Sequence, residues 1–221
     1  EWQYLFGGAG MDRPYTMLQT TDGGYIVAAG THSYGPGTSM NAWILKLDAL
    51  GGIQWQKVYG GAGIDNLLDI RQTSDGGYVA AGWSTSHRLG LPYEDALEAW
   101  VIKLDSVGNV VWQQAYGGGN PYECATSIQQ TSDGGYIVAG SVLMWPPGQP
   151  GVPSAWLFKV SNVGKLVWQK AYGAGSGGYL CGNISPEYPQ VLKTPDGGYL
   201  LTQVYLYGPE QDDGWVLKVD S

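Results

Sequence analysis

The sequence predicts an all-β fold, a four-bladed β-propeller of four-stranded antiparallel blades, with the N-terminal strand completing the last blade. Three observations lead there. One set of motifs recurs four times along the 221 residues, and self-similarity at a fixed period marks a repeat architecture. Short runs rich in Val, Ile, Trp and Tyr alternate with Gly and Asp, as strands alternate with tight turns. The chain begins in the phase of a repeat's last strand and ends in the phase of its third, so the ends are complementary.

The repeat carries three signatures. Thr-x-Asp-Gly-Gly-Tyr begins at Thr20, Thr73, Thr131 and Thr194; its acidic markers Asp22, Asp75, Asp133 and Asp196 stand 53, 58 and 63 residues apart. Trp-x-x-Lys followed by Leu or Val begins at Trp43, Trp100, Trp156 and Trp215. Trp-Gln-x-x followed by Tyr or Phe and Gly begins at Trp2, Trp55, Trp112 and Trp168. The unit is constant, so the length variation belongs to loops.

The second copy shows the elements in order. Strand A runs from Asn66 to Thr73, B from Gly77 to Gly82, C from Ala99 to Asp105 and D from Asn109 to Tyr116. Ser74-Asp75-Gly76-Gly77 offers an Asx side chain and glycines that tolerate positive φ, which closes the A–B hairpin; Asp105 to Asn109 does the same between C and D. Blades are expected at about 12–59, 65–116, 123–172 and 187–220 in a single domain, with residues 2–6 as the last blade's outer strand. That pairing would close the ring and remove an edge. In trans, the same strand would link copies head to tail.

Composition narrows the function. The chain has 36 Gly, 16 Tyr and 10 Trp, with 14% charged residues against about 25% in ordinary domains. A net charge of -8 with no basic cluster argues against nucleic acid. No apolar run reaches the length of a membrane-spanning helix, and a secretion signal, if there was one, is expected to have been removed.

Asp105-Ser106-Val107-Gly108-Asn109-Val110-Val111-Trp112 is similar to the tryptophan-docking segment of quinoprotein-type propellers. The whole unit more closely resembles the W-Q-K-x-Y-G-G and T-x-D-G-G-Y-I-V-A-G repeats of secreted or cell-surface β-propeller-like proteins of archaea and bacteria. That resemblance implies shape and an extracellular location. It implies no quinoprotein activity, because the cofactor-binding residues are not found.

Propeller geometry puts the B–C and D–A joins on one face, and these are the joins that differ between copies. Trp83, Trp145, Tyr34, Tyr93, Tyr122, Tyr179, Tyr205 and Tyr207 are expected in these loops and are candidates for binding a ligand or partner, with loop packing as the plainer reading. The eight repeat tryptophans are expected in the core, and Lys46, Lys103, Lys159 and Lys218 are expected to snorkel along the blades. Asp12, Asp65 and Glu123 lie eight positions before the marker Thr, with Glu187 one residue out of phase. On innermost strands they would crowd the channel mouth, where a Ca²⁺ ion or capped backbone NH groups would balance their charge.

Cys124 and Cys181, the only cysteines, are expected to form a disulfide between adjacent blades, which requires an oxidising compartment. Asn183 begins the one N-x-[ST] sequon and is a glycosylation candidate. His32 and His87 lack a repeated acidic or thiol companion, and no nucleophile, Walker or paired-cysteine motif is present. These features lead to the expectation of a non-enzymatic extracellular structural or adhesive module without a cofactor. Its partners would be its own copies, as in a cell-surface filament, or surface glycans. A carbohydrate-binding lectin is the alternative and a glycosidase the second, because glycoside hydrolysis needs only two carboxyl groups.

Overall fold

The structure is a computed structural model that describes residues 2–87, 96–117, 122–144, 152–172, 189–206 and 212–220, all of whose regular structure is β. The first sheet holds β1 (Asp12–Gln19), β2 (Tyr25–Thr31), β3 (Asn41–Leu47) and β4 (Ile53–Tyr59). The second holds β5 (Asp65–Gln72), β6 (Tyr78–Ser84), β7 (Glu98–Leu104) and β8 (Val110–Tyr116). The third holds β9 (Glu123–Gln130), β10 (Tyr136–Met144), β11 (Val152–Val160) and β12 (Leu166–Tyr172). The fourth holds β13 (Gln190–Lys193), β14 (Tyr199–Leu206) and β15 (Asp212–Val219). Every sheet is an antiparallel meander in chain order.

The Asp-Gly-Gly turn explains much of this regularity. Its first glycine takes φ of +82°, +80°, +82° and +87° at Gly23, Gly76, Gly134 and Gly197, a region that side chains with a Cβ avoid. The marker Thr hydroxyl donates to the marker Asp in all four copies. The other Asp oxygen accepts from the sheet's own repeat lysine, with Lys46–Asp22 at 2.8 Å, Lys103–Asp75 at 2.9 Å, Lys159–Asp133 at 2.7 Å and Lys218–Asp196 at 2.9 Å. The lysines therefore do more than snorkel: Lys46 and Lys103 are buried and bind their turns across the sheet. At the second glycine, a Cβ on Gly24 or Gly77 would strike the β3 or β7 carbonyl beside that lysine.

Each seam between neighbouring sheets buries the same positions. Ile26, Ala28 and Ile44 meet Ile70, Tyr78 and Trp100; Val79, Ala81 and Val101 meet Ile128, Tyr136 and Phe158; Ile137, Ala139 and Leu157 meet Val191, Tyr199 and Leu201. Outer-strand aromatics reach across. The Trp55 ring sits 6.0 Å from Tyr78 and the Trp112 ring 5.9 Å from Tyr136, while the Tyr59 and Tyr116 hydroxyls donate to the carbonyls of Gly108 and Gly164 at 2.8 and 2.6 Å.

The expected ring closure is not what the described residues adopt. The sheets pack in the order first, second, third, fourth, and no strand of the fourth packs substantially on the first. Residues 2–7 form no strand, and the fourth sheet has three strands among the described residues. Those residues lie instead against the first sheet, where Trp2 packs 6.0 Å from Tyr25 and Phe6 joins the cluster of Ala29, Trp43, Leu45 and Leu47. The cause is the same aromatic docking that builds the internal seams.

Candidate functional site

The D–A and B–C joins lie together, as expected from the variable face. Gly10 N donates to Ser33 Oγ at 2.9 Å in the first sheet, and Gly63 N donates to Ser86 Oγ at 2.9 Å in the second. The inner-strand carboxylates latch these joins. Asp12 accepts from Thr31 Oγ1 and Ser33 Oγ at 2.5 and 2.7 Å and from Gly8 N at 2.9 Å. Asp65 accepts from Ser84 Oγ, from Ser86 Oγ at 2.7 Å and from Gly61 N at 2.8 Å. Burial pushes the Asp12 carboxyl up, but the Thr31, Ser33 and Gly8 donors outweigh it and hold the group below its ordinary value.

This accounts for Ser84 and His87 as well. The single proton of Ser84 Oγ goes to Asp65, and His87 Nδ1 lies 3.0 Å from the same oxygen. The hydroxyl also accepts from the backbone NH groups of Ser86 and His87 at 2.9 and 3.1 Å, which leaves it no part as a nucleophile. The His87 ring stacks on Trp100 at 5.1 Å.

The third sheet breaks the latch pattern. Glu123 pairs in register with Val142, where Asp12 faces Thr31 and Asp65 faces Ser84, so the opposing strand offers no hydroxyl. Its carboxylate turns to the second sheet. A Cβ built on Gly117 would collide with both Glu123 Oε2 and Glu98 Oε2, so the two oxygens converge on one point.

Both glutamates are fully buried, and Glu123 N donates to Leu97 O at 2.9 Å, which anchors the start of β9 beside the start of β7. At the seam between the first and second sheets the matching residues are Asn41 and Asp65, an amide and an acid. Among the described seams, only that between the second and third sheets brings two acids together. Tyr122, 37% exposed, bridges to Leu97 at the rim.

Other expected site residues are distributed differently. Trp83 is buried against Cys124, Leu68 and Leu97, so its ring serves the seam and is no surface platform. Tyr34 packs 5.3 Å from Trp43 and donates to Gly7 O at 2.9 Å, which fits the plainer loop-packing reading. Tyr205 belongs to β14, and its side chain lies outside the description. Trp145, Tyr93, Tyr179, Tyr207, Glu187, Cys181 and Asn183 lie outside the described residues. Cys124 is buried and disulfide-bonded.

The expected gathering of Asp12, Asp65 and Glu123 at a channel mouth does not form. Among the described residues no three acidic, His or Cys side chains are placed to hold a metal ion. Each carboxylate instead serves its own join or seam. Glu98 was not singled out in the sequence. Its signal is a polar residue opening an apolar C strand, at the position of Asn41 and Ser154 in the neighbouring copies.

No protein-family model and no curated protein sequence matches the chain. Among solved structures it is similar to a thermostable family-43 glycoside hydrolase, with a TM-score of 0.49 and 12% identity over 91% of this chain and 69% of that one. It is also similar to a xylan β-1,4-xylosidase from Bacillus halodurans, with a TM-score of 0.46 and 11% identity over 97% of this chain. The chain spans 42% of that xylosidase. Both are structures of enzymes, so the expectation that this chain is not an enzyme finds no support in them, and nothing about its own activity is taken from them.

Proposed function

We propose that the chain acts on carbohydrate as a glycoside hydrolase, with Glu98 and Glu123 as its acid/base and nucleophile pair. The observation that carries this reading is the convergence of the two buried carboxyl groups beside Gly117. Two carboxylates that close repel unless a proton or a cation sits with them, and a carboxyl pair holding one proton can serve as acid and nucleophile at once. In such a reaction the protonated member gives its proton to the glycosidic oxygen. The ionised member bonds to the anomeric carbon as that oxygen leaves. Water, deprotonated by the first member, then breaks the glycosyl ester and restores both groups. The exposed Tyr122 offers a flat apolar face for a sugar ring at the rim. The disulfide at Cys124 supports an extracellular setting, and Cys181 is the partner we assign to it.

The test is hydrolysis of a panel of aryl glycosides and plant and microbial polysaccharides by the wild-type chain and by Glu98→Gln and Glu123→Gln. The expected result is turnover of at least one substrate by the wild type, lowered about 10²–10⁴-fold in each variant with the fold intact by circular dichroism. Absence of turnover across the panel, or equal rates in the variants, would overturn the assignment. Saturable glycan binding without turnover would mark a lectin instead.

A further inference from the structure

We infer that the chain associates head to tail, residues 2–7 of one copy adding as the fourth strand to β15 of a second copy. Three observations converge on that interface.

The first is that, among the described residues, the first and fourth sheets each present seam positions without a cover. Ile70 and Ile128 are fully buried where the second and third sheets meet their predecessors, whereas Met17, the same position in the first sheet, is 71% exposed. Ile44, Val101 and Leu157 are fully buried where sheets meet their successors, whereas Val216, the same position in the fourth sheet, is 64% exposed. Leu192 adds to that face from β13.

The second is that residues 2–7 already occupy the place of a preceding sheet's outer strand. Trp2 stands 6.0 Å from Tyr25 as Trp55 stands 6.0 Å from Tyr78. A Cβ on Gly51 would meet Trp2 and Tyr4, as one on Gly108 would meet Trp55 and one on Gly164 would meet Trp112. What this segment lacks is the inner neighbour to which every other outer strand is hydrogen-bonded. Leu5 shows it most plainly: its counterpart Val58 packs against Trp43, yet Leu5 is 97% exposed.

The third is that the missing neighbour has a known shape. The pairings Trp43↔Val58, Ile44↔Lys57 and Lys46↔Trp55 carry over as Trp215↔Leu5, Val216↔Tyr4 and Lys218↔Trp2. Because no strand of the fourth sheet packs substantially on the first within the described chain, the β15 that receives this segment belongs to a second copy. The contact joins two different surfaces, so it repeats from copy to copy, and strand addition supplies backbone hydrogen bonds while Trp2 and Phe6 supply the burial.

Two measurements test this. In sedimentation velocity the weight-average mass of the unmodified chain is expected to rise at least about twofold over a hundredfold increase in concentration, and the rise is expected to be suppressed by a synthetic peptide of residues 1–8. A monomer at every concentration would overturn the inference. Chains carrying Tyr4→Cys and chains carrying Val216→Cys, mixed and oxidised, are expected to give a disulfide-linked pair, and the doubly substituted chain a ladder of dimers and longer species. A doubly substituted chain that cross-links only within itself would show that the array closes on its own fourth sheet and would equally overturn it.

Discussion

A lysine paired with a half-exposed aspartate recurs at every Asp-Gly-Gly hairpin, and in the first two sheets that lysine is buried. Lys103 has Asp75 and the carbonyl of Leu104, 3.0 Å away, as its acceptors. Removing the carboxylate leaves an ammonium with one neutral partner in a buried site, so Asp75→Ala is expected to lower stability by about 2–3 kcal/mol, read as a fall in the urea midpoint. The same pairs set an acid limit. The Lys46 ammonium and the Thr20 hydroxyl hold the Asp22 carboxyl at about 2; Asp75, where burial acts in the opposite direction, is drawn to about 2 by Thr73 and Lys103. Lys159 for Asp133 and Thr194 for Asp196 lower those groups too. Depressed folded-state values mean that the unfolded chain binds protons first. The stabilisation is therefore complete above about pH 4 and lost as pH falls towards 2, which thermal melts across pH 2–6 will register as a steep drop in midpoint. Asp69 acts with the opposite sign, since burial raises it despite Arg71 nearby. The Asp-Gly-Gly turn was legible in the sequence because Thr, Asp and both glycines are adjacent. The lysine's part was not, because its partner lies 24 residues away in Asp22–Lys46 and 28 in Asp75–Lys103.

At the scale of elements, sequence and structure agree closely where turns punctuate the chain. Strand A of the second copy was expected from Asn66 and begins at Asp65; strand D was expected to end at Tyr116 and does. What periodicity could not reveal is the break in register within the A strands of the first three sheets, between Pro14 and Thr16, between Leu67 and Asp69, and opposite Ala139 and Gly140. There the A-strand backbone approaches its B strand so closely that a Cβ on Gly82 would strike Asn66 O, and one on Gly140 would strike Cys124 O. Backbone atoms within a paired strand have little room to yield. Gly82→Ala is therefore expected to cost about 3 kcal/mol or more, although alanine suits a strand no worse than glycine. Gly23→Ala, whose Cβ would meet nothing within 4 Å but whose φ is +82°, is expected to cost only about 1 kcal/mol. Denaturant unfolding of the two variants side by side checks the difference. The break also turns the residue after it across the seam: Asp69 accepts from Ile128 N at 2.9 Å, and Ser127 Oγ from Val191 N at 3.3 Å.

At the scale of the whole molecule, a repeat sequence discloses its unit better than the relation between its ends. Four copies of one motif set were readable because each seam uses the same side chains, and the complementary phase of the termini was readable too. Whether that complementarity acts within one copy or between two depends on curvature accumulated over several seams, which no local pattern encodes. The carboxyl pair was half legible for a similar reason. Glu123 stood out by its spacing from Thr131, but Glu98 lies 25 residues earlier and meets it only because the second and third sheets share a seam. Its importance emerges from comparing seams: Asn41 with Asp65 in one, Glu98 with Glu123 in the next. The most direct measurement is chemical trapping of that pair. The chain would be incubated with a panel of 2-deoxy-2-fluoroglycosyl fluorides, digested, and its peptides weighed by mass spectrometry. A single glycosyl ester on Glu98 or Glu123, abolished by Gln at that position, is the predicted result. Turnover with no adduct on either glutamate, or an adduct on another residue, would contradict it.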